Sequence, residues 1–149
     1  MKMLKNVPWT KVFIAAILFM VVGKIIYTLE AFFTMNYYLD ANYFAVWSKV
    51  MMPTVGPPPP SFHFYTLLFG FITGFLFAMV YAMVRKAIPY EGMMKGATYG
   101  VLVFLVAGIP GALSTYLLIN LPTGLIVWWM FSGLLVDLIG GALTAKIVR

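Results

Sequence analysis

Cysteine is absent from the chain, which excludes disulfides, thiolate metal sites and thiol catalysis. Charge is scarce. Asp, Glu, Lys and Arg make up 9% of the residues, against about 25% in soluble domains. Four of the charged residues are acidic, and histidine occurs once. HExxH, GxSxG and P-loop patterns are missing, as is any histidine cluster that could ligate haem. These gaps exclude the familiar hydrolase, NTPase and haem chemistries, so no enzymatic activity is expected. What fills the chain is apolar: 63% of its 149 residues are hydrophobic, and the mean hydropathy is +0.97. Water is not the main solvent for such a sequence. An extended soluble domain, a disordered tail, a collagen and a disulfide-rich secreted module are all excluded.

Four apolar stretches are long enough to span a bilayer, at about 12–29, 64–84, 97–119 and 124–145. Each approaches the ~20 residues that cross ~30 Å of hydrocarbon at ~1.5 Å per residue. The expected fold is therefore all-α, a four-transmembrane-helix bundle in one membrane domain. Lys2, Lys5 and Lys11 precede the first run as they would in a signal peptide. No small-x-small cleavage site follows, and Lys24, Ile25, Ile26 and Tyr27 continue the span, so it reads as an uncleaved helix. Pro110 falls inside the third stretch and predicts a kink there.

The basic residues predict the orientation. Lys2, Lys5 and Lys11 lie before the first span, Arg85, Lys86 and Lys95 between the second and third, and Lys146 and Arg149 at the end. Four spans bring all of these to one side. The opposite side has Lys49 as its basic residue, with Glu30 and Asp40. The positive-inside rule then makes both termini cytoplasmic. The basic residues flank apolar spans, so they read as topology signals and not as a nucleic-acid surface.

The segment 30–63 on the other side is long and aromatic, with Phe32, Phe33, Tyr37, Tyr38, Tyr43, Phe44 and Trp47. Such rings favour the headgroup region. Either the first helix continues past the bilayer, or residues 39–50 form a short helix lying on the surface. Gly56 and Pro57 to Pro60 should be an extended polyproline II connector, with docking of a proline-binding partner as its functional alternative. The other connection on that side, 120–123, is tight, and Pro122 is suited to start the fourth helix.

Small residues mark the packing faces. Gly70, Gly74, Ala78 and Ala82 recur every four residues in the second span. Gly133, Asp137, Gly141 and Ala145 do so in the fourth, and Gly96, Gly100, Gly108 and Ala112 dot the third. Stripes of this kind let helices approach closely, within one chain or between copies. Spans two and four share an aromatic start, small centre and basic end, a weak hint of parallel duplication.

Asp137 lies ~22 Å beyond Pro122 along the fourth helix, deep in the hydrocarbon. A carboxyl there should be paired, neutral or facing a polar cavity. Lys24 lies ~20 Å beyond Lys11, within roughly 6 Å of the same depth. A Lys24–Asp137 pair is the expected intramembrane polar contact, either as a structural ion pair or as part of an ion path. Glu30, His63 and Tyr65 are the candidates for polar contacts at the outer mouth. Asp40, Met51 and Met52 add no ligand spacing, so neither a metal nor a cofactor is expected.

The stretch 70–86, with 92–100 and 108–125, resembles the small four-span integral membrane proteins of bacteria and archaea. That resemblance implies a plasma-membrane protein and no particular activity. The expected role is a structural or accessory subunit in contact with membrane lipids, self-associating or bound to a larger complex, with no nucleic-acid partner. The alternatives are a small ion- or proton-coupled transporter or channel using Asp137 and Lys24, and a lipid- or quinone-binding protein using the aromatic segment.

Overall fold

The structure, a computed structural model, describes residues 7–47 and 58–149. Among them are four helices long and apolar enough to cross a membrane: α1 (Trp9–Phe33), α2 (Pro60–Val84), α3 (Gly92–Leu118) and α4 (Thr123–Ile147). All four are longer than the cores read from hydropathy: α1, α2 and α3 continue by about a turn or more at their N-terminal ends, whereas α4 gains less than a turn in all. α2 begins at Pro60, where the last proline of the expected extended run becomes the first helical residue. Its missing N–H is harmless there, since the first turn's donors have no intrahelical acceptor. Pro59 just before it is extended, at φ −68° and ψ 160°. Gly56 and Pro57 of that run lie outside the described residues.

α1 packs against α2 and α4, and α4 packs against the first half of α3. The contacts follow the small residues. A Cβ on Gly74 of α2 would sit 2.8 Å from the Ala16 carbonyl oxygen of α1 and 2.9 Å from the Phe19 Cβ. A Cβ on Gly70 would meet the Met20 Cγ at 3.4 Å, Ala78 is buried, and Ala82 packs against the core. Between α3 and α4 the backbones themselves touch. A Cβ on Gly96 would collide with the Gly141 carbonyl, one on Gly100 with the Asp137 carbonyl, and one on Gly141 with the Gly96 carbonyl. Ala145 continues that line and is buried. Phe19 lies over Gly140, so α1 and α4 interlock by one ring set on one glycine. Lipid tails give apolar helices little reason to associate, so close approach and dispersion carry this packing.

The close seam ends at the next step. The register pairs Gly96 with Gly141 and Gly100 with Asp137, which would set Phe104 opposite Gly133. A π-helical segment, Phe104–Gly108, begins there. Pro110 explains it: the proline lacks an N–H, and its ring crowds the carbonyl four residues back. The chain widens by one residue, and the Ile109 N–H donates to the Phe104 carbonyl, five back. The distortion therefore sits one turn before Pro110. Gly108 leaves room for the Phe104 ring to fold back against it. Beyond the widening α3 leaves α4, and among the described residues a Cβ on Gly133 or Gly111 would meet nothing within 4 Å. Gly133 thus stands apart from the close-packed part of its stripe.

The two ends of the bundle differ. At one end Val7, Val12, Tyr81, Ile88, Ala145 and Val148 form part of a single buried cluster. The Arg85 guanidinium donates to the Val148 carbonyl at 3.0 Å and ties the α2–α3 connection to the end of α4. With Lys11, Lys86, Lys95 and Lys146 nearby in sequence, this is the basic end. At the other, aromatic end the chain leaves α1 and turns back in short helical pieces: Met35–Tyr38, a 3-10 turn Ala41–Tyr43, and Phe44–Val46. Asp40 caps the 3-10 turn by accepting from the Asn42 N–H at 2.9 Å. Trp47 is buried with Leu121, Leu125 and Ile126, and its indole N–H donates to the Tyr37 carbonyl at 3.3 Å. The segment is neither a plain extension of α1 nor a single surface helix through the residues described. It folds back over the start of α4, where the Tyr37 hydroxyl lies against Gly124.

Candidate functional site

The polar groups in and beside the bundle form one column, with Tyr27 47% exposed at its edge. On α1, Gly23, Tyr27, Glu30 and Thr34 follow at spacings of four, three and four, which puts them on one face. That face looks toward α4: a Cβ on Gly23 would be 3.8 Å from Val136 Cγ1. Asp137, next after Val136, is half-buried on α4. Tyr27 of α1 and Tyr99 of α3 both lie within electrostatic reach of its carboxyl. Tyr27 also feels Glu30. The order along the column is therefore Tyr99, Asp137, Tyr27, Glu30, Thr34.

Glu30 is placed differently from its reading as an outer-mouth residue. It is 7% exposed, within the last turn of α1. The fully buried Thr34 hydroxyl lies 2.8 Å from Glu30 Oε1 and 2.9 Å from the Glu30 carbonyl oxygen, so one donor serves the side chain and the backbone of the same acid. Thr34 caps α1, with its N–H donating to the same carbonyl. Tyr38 follows one turn on. Burial pushes the Tyr38 hydroxyl above the ordinary tyrosine range, and the Glu30 carboxyl adds to this, while the Trp129 and Thr34 side chains act the other way. Tyr38 accordingly stays a neutral hydrogen-bonding phenol at any physiological pH.

The bundle thus contains two acids, Asp137 and Glu30, where the sequence suggested one. They come from different helices with a phenol between them. Lys24 stands next to Gly23, hence level with Asp137, and is half-buried. His63 and Tyr65 do not join the column. His63 is on the exposed first turn of α2, its ring 5.9 Å from Phe62, and its carbonyl accepts from the Thr66 hydroxyl at 2.8 Å. Tyr65 is exposed beside Phe64 and Phe69.

Tyr99 does a second job. Its hydroxyl donates to the Phe77 carbonyl of α2 at 3.0 Å, and its ring packs on Phe77 and Tyr81 with centroids 4.7 and 5.3 Å away. It is the polar bridge between α2 and α3, which otherwise touch little. The sequence offered one signal for Tyr99, its place directly before the close-packed Gly100. Elsewhere hydroxyls bond back to their own helix, Thr98 to the Met94 carbonyl and Thr115 to the Gly111 carbonyl, each at 2.9 Å. Thr144 Oγ1 is buried without a hydrogen-bond partner among the described residues.

No family model matches the chain, and neither a curated protein nor a solved structure matches it. What it is rests on its own architecture. It is a multi-pass membrane protein. Its helices are long and apolar, its closest interhelical approaches are at small residues, and large apolar side chains cover its outside. Among the described residues no group of three His, Cys, Asp or Glu could hold a metal ion. Chemically, a file of acids, phenols and a hydroxyl can hold or hand on protons and fix helix register.

Proposed function

We propose that the protein is a non-enzymatic structural or accessory component of a bacterial or archaeal plasma membrane, with both termini cytoplasmic. The observation that carries the role is the contrast within α3. Its first half lies backbone to backbone on α4, whereas its second half exposes Leu113, Tyr116, Leu117 and Leu118 with little against them among the described residues. A helix held rigidly at one end and bare at the other suits contact with another membrane-embedded helix. Native mass spectrometry after gentle extraction from the source membranes tests this. A different protein retained at fixed stoichiometry is the expected result, and a bare monomer overturns the reading. The orientation rests on the basic end. The chain has no cysteine of its own, so Lys86→Cys and Asn120→Cys each report one site. Membrane-impermeant maleimide on intact cells should label Asn120→Cys and spare Lys86→Cys.

A second reading, proton-coupled transport, is favoured by the column of Asp137, Tyr27 and Glu30 with Lys24 level with Asp137. Proton flux into proteoliposomes that is abolished by Asp137→Asn would support it. Equal flux in the two proteins would reject it.

A further inference from the structure

α2 and α3 separate below the Tyr99 bridge and leave an open-sided cleft of about 450 Å³. Val84, Ile88, Tyr99, Val103, Val106 and Ala107 are among its walls. The Tyr99 hydroxyl is already used by the Phe77 carbonyl, so the cleft presents hydrocarbon and ring faces and no free polar group of that residue. It begins at the α2–α3 connection, since Ala87, Ile88 and Pro89 line it, and ends at the π-helical segment. Along α3, Ala107 stands ~18 Å from Lys95, close to the ~15 Å of a single leaflet. The cleft therefore spans one leaflet, not the bilayer.

Its mouth is basic. Lys95 precedes Tyr99 by four residues and so lies on the same face of α3, one turn toward the connection. Lys86 adjoins the cleft-lining Ala87 and is exposed. Arg85 stands beside it, partly engaged with the Val148 carbonyl. Glu91 is the one acid of the connection. An apolar slot one leaflet deep with lysines at its interfacial end matches one class of molecule: an acyl chain below and a phosphate carrying net negative charge above. Basic pockets between spanning helices bind anionic headgroups on this principle.

We propose that the α2–α3 cleft is a binding site for an anionic phospholipid of the leaflet at the basic end, its chain along Val103 and Val106 and its phosphate at Lys86 and Lys95. The site does not depend on the accessory role, and it shares Tyr99 with the polar column. The test uses the full chain reconstituted in vesicles of equal parts dioleoyl phosphatidylglycerol and dioleoyl phosphatidylcholine, re-extracted and analysed by native mass spectrometry. A lysine at the headgroup plane weights the anionic lipid by roughly fivefold, so phosphatidylglycerol should be retained at least that strongly over phosphatidylcholine. Lys86→Gln with Lys95→Gln should bring the two lipids to parity while leaving helical circular dichroism and melting unchanged. Leu102→Trp, at a wall position 47% exposed and thus free to take a larger side chain, should expel the bound lipid by filling the slot. Equal retention of the two lipids by the parent protein overturns the proposal. So does retention of phosphatidylglycerol that survives both variants, or a lipid-free dimer showing that a second chain fills the cleft.

Discussion

Single glycines divide into those that hold helices together and those that do not, and the division is testable residue by residue. Gly96 and Gly100 face carbonyls of α4 so closely that a methyl group must push the helices apart. Gly96→Ala or Gly100→Ala should cost at least ~2 kcal/mol by overpacking, read as an earlier midpoint in denaturation from mixed micelles. Gly133→Ala and Gly111→Ala meet open space and should be neutral or gain up to ~1 kcal/mol from helix propensity. All four sit in similar surroundings in the sequence, so composition cannot sort them. The sorting depends on how α3 and α4 are registered, a long-range property. Glu30 teaches the same lesson from the polar side. An acid near a span's end reads as interfacial, and nothing local announces that Thr34 will enclose it. Thr34→Val keeps the shape and removes the hydroxyl. It should lower stability by about 1–3 kcal/mol, the cost of a buried acid losing its partner, whereas Thr34→Ser should retain most of it.

At the scale of the element, the spans were legible because twenty apolar residues in a row have few other uses. Their ends were less so, since the helices run on into aromatic and proline-bearing flanks once neighbouring chain is there to receive them. Pro110 is the irregular residue of the third span in the sequence, but a proline disturbs the carbonyl behind it, and the widening falls at Phe104–Gly108. That shift decides which half of α3 is packed. Leu117, 81% exposed in the second half, should tolerate Leu117→Ala within ~0.5 kcal/mol. Leu125, fully buried near the start of α4, should lose about 2–5 kcal/mol as Leu125→Ala. The same unfolding assay reads both, and a similar loss at the two positions would contradict the packing of α3 described above.

For the whole molecule, the basic end is closed by a contact between residues 63 positions apart, the Arg85 guanidinium on the Val148 carbonyl. Arg85→Gln shortens the donor and removes its charge. It should cost about 1–2 kcal/mol, in the range of hydrogen bonds made by charged groups, and loosen the last turn of α4, seen as faster amide exchange there.

The fourth helix is the one in the middle. α4 takes α1 on one side and the first half of α3 on the other, two helices that do not serve as major partners for each other. During synthesis α1 and α2 can pair as soon as both are in the bilayer, but α3 must wait, with Gly96 and Gly100 facing lipid. Domains fold as units from the N-terminus as they emerge, and this bundle reverses that order for its tightest seam. A ribosome stalled before the last span would leave a hairpin and a stray helix carrying a naked backbone stripe. Membrane quality-control proteases would meet that species first, so the abundance of the protein in its membrane should be governed by how promptly α4 arrives.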